Sequence, residues 1–189
     1  MEHVYSLKKI AKQYELGDIL SYRPIAKKVK EDVMNILNAL PSDSYFVFDF
    51  LGISLCDLSF ADELLIETKL YLINRKNLII YTQNLNQVIK ENIEGAIARR
   101  EQKENIKINL LIMENGKYSK IGSRLEKSLE DTFLYISEKK TASARDVAEK
   151  YKLEINSASN RLKKLFDSGL LLRKEVIDIN GRQHVYYLP

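Results

Sequence analysis

Nine residues near the C-terminal end, "NSASNRLKK" (Asn156 to Lys164), bring amides, hydroxyls and cations together at helical spacing. If Ala158, Leu162, Leu165 and Phe166 turn inward, then Asn156, Ser157, Ser159, Asn160, Arg161, Lys163 and Lys164 are left facing solvent. An Asn amide can pair bidentately with adenine, an Arg guanidinium with guanine, and a Lys ammonium suits a phosphate. A following hairpin adds Arg173, Lys174, Arg182 and Gln183. The same pattern also describes a solvated polar face, or a module that docks on protein, so residue types alone leave these readings open.

A second polar corner, Cys56-Asp57-Leu58-Ser59, joins an apolar strand to an amphipathic helix. A serine at a helix start can cap a free backbone N–H, and Asp62, three residues on, would complete a capping box with Ser59. The same place suits a phosphoryl group, which would meet free N–H groups and add about two negative charges. Asp57, Asp62 and Glu63 would repel that charge, so the surface potential would change sharply. Asp57 and Asp62 could instead hold a partner's cation. Signs of catalysis are thin: the chain has no Gly-x-Gly-x-x-Gly, P-loop, Gly-x-Ser-x-Gly or His-Glu-x-x-His pattern. Cys56 lacks the cationic setting that activates thiols and reads as a small core residue. His3, His184 and one cysteine are too scattered for a zinc site. No cofactor or metal is expected; His184, Tyr186 and Tyr187 are expected to pack the hairpin.

Composition is that of a globular chain: 189 residues, 45% apolar and 30% charged. No apolar run approaches the roughly 20 residues of a membrane span. The first residues lack a signal-peptide design, and the lone cysteine fits a reducing cytoplasm. Net charge is +4, unevenly spread: residues 139–189 carry eleven Lys and Arg against six Asp and Glu. That asymmetry fits an end that faces nucleic acid.

These groups need elements to position them. Residues 4–17 read as one or two short strands. Pro24 suits a first helical turn, and Ile25, Val29, Val33, Ile36, Leu37 and Leu40 continue a helix that Pro41 ends. Tyr45 to Ile53 reads as a buried strand, followed by a helix from about Ser59 to Asn74. A strand at Leu78–Tyr81, a helix from Leu85 to Ile97 with a solvated polar end at Arg99–Asn105, and a strand at Ile108–Met113 come next. Asn115-Gly116 suits a hairpin. Strands alternating with helices predict an α/β layer fold ending near Gly122. Ser123-Arg124-Leu125-Glu126 is a capping-box signature, so a continuous helix over about 123–140 is expected to join residues 1–122 to a second unit, 123–189.

In that second unit Ser143-Ala144-Arg145-Asp146 opens a helix, another starts near Asn156, and Gly169 stands at its left-handed stop. Asn180-Gly181 marks a hairpin. Three helices and a two-stranded hairpin, with "SARDVAEKYKLEINSASNRLKKLFDSGLLLRKE", resemble the winged helix-turn-helix domains of bacterial transcription regulators over about Leu129 to Leu188. The resemblance implies that the third helix enters a DNA major groove while the hairpin touches the backbone or minor groove.

The first unit resembles the STAS superfamily over about Gly17 to Gly122. Asp49 and Gly52 fall on an Asp-x-x-Gly strand motif, and Asp57 and Ser59 on the first and third positions of an Asp-Ser-Ser-Gly helix start. Leu58 and Phe60 replace the other serine and the glycine. "SFADE" and Arg23-Pro24-Ile25-Ala26 bring it nearer to a STAS-like family of unknown function, often found beside helix-turn-helix domains. The resemblance to anti-anti-sigma factors implies that Ser59 is a phosphorylation site for a partner kinase. Together the resemblances imply a regulator that binds double-stranded DNA, as a homodimer if its target has two half-sites, and receives its signal through a protein partner or phosphorylation. The competing reading is a protein-interaction switch, partner of a kinase or ATPase, without direct DNA binding.

Overall fold

The computed structural model describes residues 1–73, 77–178 and 181–189. It is an α/β chain built on a five-stranded mixed sheet. The strands are β1 (Glu2–Ser6), β3 (Ser44–Asp49), β5 (Leu78–Gln83), β6 (Asn109–Glu114) and β7 (Lys117–Gly122), side by side in that order. The first four run parallel, and β7 returns antiparallel to β6 through Asn115 and Gly116, both at positive φ as a two-residue hairpin requires. A small parallel pair, β2 (Ile19–Leu20) with β4 (Leu55–Cys56), lies outside the main sheet.

Parallel strands covered on both faces need apolar side chains in both directions. Phe46, Phe48, Ile80, Leu110 and Ile112 share one core with α1 (Leu7–Gln13), α2 (Arg23–Ala39), the helical run Leu58–Leu72 and α5 (Gln87–Glu104). The intervening Val47, Ile79, Tyr81 and Leu111, with Tyr118 of β7, belong to a different core. That core is completed by α6 (Lys127–Lys139), α7 (Ala144–Tyr151) and α8 (Ile155–Asp167). β8 (Thr141–Ser143), β10 (Gly181–Tyr187) and β9 (Leu172–Asp178) form a three-stranded sheet, in that order, at its outer edge. The C-terminal unit is thus the cover of the sheet's second face.

Several expectations needed correction. Residues 4–17 are one strand and one helix: Leu7, Ile10 and Ala11 are buried at helical spacing, which a strand could not achieve. The strand predicted to Ile53 stops at Asp49, where the chain turns through Gly52. The helix after it begins at Leu58 as α3 (Leu58–Ala61), passes through a π-helical turn at Asp62–Ile66 and ends as α4 (Glu67–Leu72); Asn74 lies outside the described residues, as does Asn180 of the second hairpin. The capping box at Ser123 does not form. The Ser123 hydroxyl accepts the Ile108 N–H at 3.0 Å and donates to Glu101, and α6 starts only at Lys127. The joining segment is therefore non-helical at 123–126. Gly122 precedes it at φ +106, where a Cβ would lie 2.2 Å from the Ile108 carbonyl oxygen, so no other residue fits there.

The capping box predicted at Ser143 is present, with Asp146 as its reciprocal partner. α8 ends in a Schellman motif: the Gly169 and Leu170 N–H groups donate to the Phe166 and Leu165 carbonyls. Lys69 of α4, only 4% exposed, donates to the Gly169 carbonyl at 2.8 Å and so ties the first unit to the end of α8.

Two outcomes follow from this shared core. Phe133→Ala removes a ring that is 1% exposed beneath the sheet. It should cost about 3–5 kcal/mol, and denaturant titrations should still show one coincident transition for probes in both units. Burial pushes the Lys69 pKa down to about 7. The unfolded chain therefore holds more protons than the folded one between about pH 7 and 10, and the Lys69 contribution to stability rises with pH across that window. Compared with Lys69→Met in parallel unfolding titrations, the wild type should gain roughly 1 kcal/mol per pH unit there.

Candidate nucleic-acid interface

α8 is held by its apolar stripe. Ala158, Leu162, Leu165 and Phe166 are buried, and the opposite side of the first two turns is open. Asn156, Ser157 and Asn160 are exposed and Ser159 is half-buried. Glu154 precedes the helix without making a side-chain cap, and the first turn contains no acidic residue. The first backbone N–H groups of a 13-residue helix are thus left to solvent or to a ligand.

Beside them runs a groove of about 310 Å³, between the starts of α7 and α8 and strand β10. Asn156, Ser159, Arg182 and Gln183 line it together with Arg145, Ile155 and His184. Arg145, Ile155 and His184 were not among the predicted contacts. Arg145 looked like part of a cap motif, and only the return of β10 past α7 brings it to the groove. His184, expected to pack the hairpin, is exposed, whereas Tyr186 is buried edge-on against Phe166 at 6.2 Å.

The other expected contacts divide. Lys164 is exposed, with a loose 3.8 Å pair to Glu126, and Arg182 pairs with Glu175 at 2.6 Å. All four side chains are well exposed, so each pair is worth about 1 kcal/mol or less and could be exchanged for a phosphate at small cost. Arg161 is half-buried with its guanidinium 5.8 Å from the Tyr151 ring, and Arg173 sits 4.6 Å over Phe166. Lys174 lies over Tyr187 at 5.7 Å. Lys163 pairs with Asp167 and lines a different cavity, against α4 and β5, so it does not join the groove.

The Ser59 corner lies in the first unit, among the helices of the opposite core. Asp57, not Ser59, is the cap: its Oδ1 accepts the Phe60 N–H at 2.7 Å and the Ser59 hydroxyl at 2.8 Å. The capping box expected between Ser59 and Asp62 is absent because Asp62 is held by Arg23 at 2.9 Å and Arg100 at 2.8 Å. Glu63, 5% exposed, is held by Arg23 and Lys30. Two of the three carboxylates expected to repel a phosphoryl group are thus already neutralised. Ser59 instead shares a pocket of about 450 Å³ with Arg23, Asp62, Arg99, Arg100 and Lys103. Arg100, expected in a solvated helix end, is 14% exposed and also pairs with Glu67 and Glu104. Burial works against its charge, but the hydrogen bonds it donates to Asp62 and Glu67 outweigh that and raise its pKa.

Cys56 is buried, and burial with the Asp57 charge beside it drives its pKa up, so it is a core thiol rather than a nucleophile. Among the described residues no three His, Cys, Asp or Glu side chains cluster as metal ligands would, and no helix is long and apolar enough to cross a membrane. The chain matches no protein-family model, and comparison with curated proteins gives no sequence match.

The geometry separates the two roles at the corner. Asp57→Ala should cost about 1 kcal/mol in denaturant unfolding. Ser59→Ala, which leaves the cap in place, should cost clearly less.

Proposed function

We propose that the chain is a DNA-binding transcriptional regulator, with a winged helix-turn-helix at its C-terminal end and a STAS-like unit that receives a signal through a protein partner or phosphorylation. One observation carries this reading. The first two turns of α8 present Asn156, Ser157 and Asn160 to solvent, at an uncapped helix start, beside a groove flanked by Arg145 and Arg182. Short amides and hydroxyls at the start of such a helix are suited to base edges, and the cations around them to the phosphates on either side. The exposed Ile155 offers an apolar contact of the kind a thymine methyl takes. The strand order β8-β10-β9, which sets the β9–β10 hairpin beside the helices, supports reading that hairpin as a flanking wing.

Duplex binding measured against salt tests it. The logarithm of the affinity should fall linearly with the logarithm of salt concentration. Asn160→Ala should weaken binding to the preferred sequence by about 1–3 kcal/mol, and Arg182→Ala should lower affinity for all sequences and flatten the salt slope by about one. Full-length protein that binds no duplex in a salt-dependent manner removes the proposal.

A further inference from the structure

Lys69 is nearly out of contact with water, yet among the described residues it is no member of an ion pair. An ammonium has three N–H donors, and one of them goes to the Gly169 carbonyl. Among the described residues no carboxylate stands within ion-pair distance of Lys69. A buried charge left in that state is costly.

Lys69 and its acceptor residue Gly169 both border a cavity of about 260 Å³ between the two units. Its lining includes an apolar set, Leu72, Ile73 and Ile79 on one side, Phe166 and Leu171 on the other. Asn77 also lines it, and its Oδ1 is buried without a hydrogen-bond partner. The other charged residues of the lining, Lys163 and Asp167, satisfy each other. The cavity therefore offers an underused cation, an unfilled acceptor and an apolar body, which is the usual make-up of a small-molecule site.

We propose that this cavity binds a small monocarboxylic acid with an apolar body, its carboxylate paired with the Lys69 ammonium. A single negative charge matches the one unpaired cation among the described lining residues. A phosphate dianion would keep a net charge among aliphatic walls, and a neutral ligand would leave the ammonium charge uncompensated. The volume limits the acid to a compact one, at or below the low end of usual ligand pockets of about 300 Å³. A hydroxyl or N–H on its body can donate to Asn77 Oδ1. Because both units line the cavity, an occupant would bridge the sheet to the end of α8.

Calorimetry and thermal unfolding of the full chain with benzoate and hexanoate, and with benzamide as the neutral counterpart, test the proposal without any DNA. At least one of the two acids should bind and raise Tm with concentration, and benzamide should do neither. Lys69→Met should weaken the acid at least tenfold. Ile73→Trp, a substitution at a partly exposed wall residue, should block the same site with the buried walls intact. In the wild type the affinity should fall roughly 25-fold between about pH 6.5 and 8.5, because burial holds the Lys69 pKa near 7 and only the protonated form attracts a carboxylate. No binding of either acid at about 10 mM, equal binding of benzamide, or an affinity unchanged by both substitutions and by pH would overturn it.

Discussion

A parallel sheet with two apolar faces has to be covered twice, and most of this molecule follows from that requirement. Alternate residues of β3, β5 and β6 point to opposite sides, and their central residues are apolar in both directions, with polar ones kept to the strand ends. The first unit supplies helices for one side only. Left in water, Val47, Ile79, Tyr81, Leu111 and Tyr118 would each forfeit roughly 1.5–3 kcal/mol, as much in total as many small domains have to spare. The C-terminal unit covers them with Leu129, Phe133 and Ile136 of α6, and its own core continues from there without a break. A chain that reads as two modules in sequence is one packed body across this contact.

Buried charge is handled in two different ways around that body. At the π-helical turn Asp62 and Glu63 are enclosed, and Arg23, Lys30 and Arg100 reach them from α2 and α5. Such networks are weak evidence for stability, since desolvation offsets much of the attraction. What they do supply is position: three helices are held in one relation by groups that can be satisfied in only that relation. Among the described residues Lys69 has no such carboxylate partner. It meets a carbonyl at the stop of α8, where Gly169 leaves just enough room, since a Cβ there would come within 2.5 Å of the ammonium.

Much of this was legible locally. Pro24, Asn115-Gly116, the Ser143 box and Gly169 each act through neighbours within a few residues, so their effects could be read from spacing. Misreadings arose where a distant partner claimed the same atoms. Ser123 has the pattern of a capping residue, but Glu101 and Ile108 come from elsewhere in the chain and take its hydroxyl. Ser59 loses the cap to Asp57, and Asp62 is drawn away by two arginines. α1 was missed because seven residues with three inward positions carry too little period to separate a helix from short strands. The inward stripe of α8 was legible as a pattern, while the half-burial of Ser159 and Arg161 and the sorting of the outward groups into groove, ring-stacked cations and the separate Lys163 depend on other elements, β10 and α4 among them, which no local window contains.

The shared core also constrains how the two ends could communicate. The polar corner at Ser59 belongs to the helices on one face of the sheet, and α8 belongs to the cover on the other. Among the described residues, a change at the corner can reach α8 through the strands themselves or through the tie from α4 to Gly169. Packed layers of this kind move between discrete arrangements rather than bending smoothly. A signal would have to favour a second seating of α6 and α8 on the sheet by a differential interaction, because a ligand indifferent to the seating shifts nothing. Lifting the cover entirely would expose the whole second face to water. A slide at the α4–α8 junction exposes far less, and it is there that the structure leaves a cavity, an unpaired acceptor and a cation without a carboxylate.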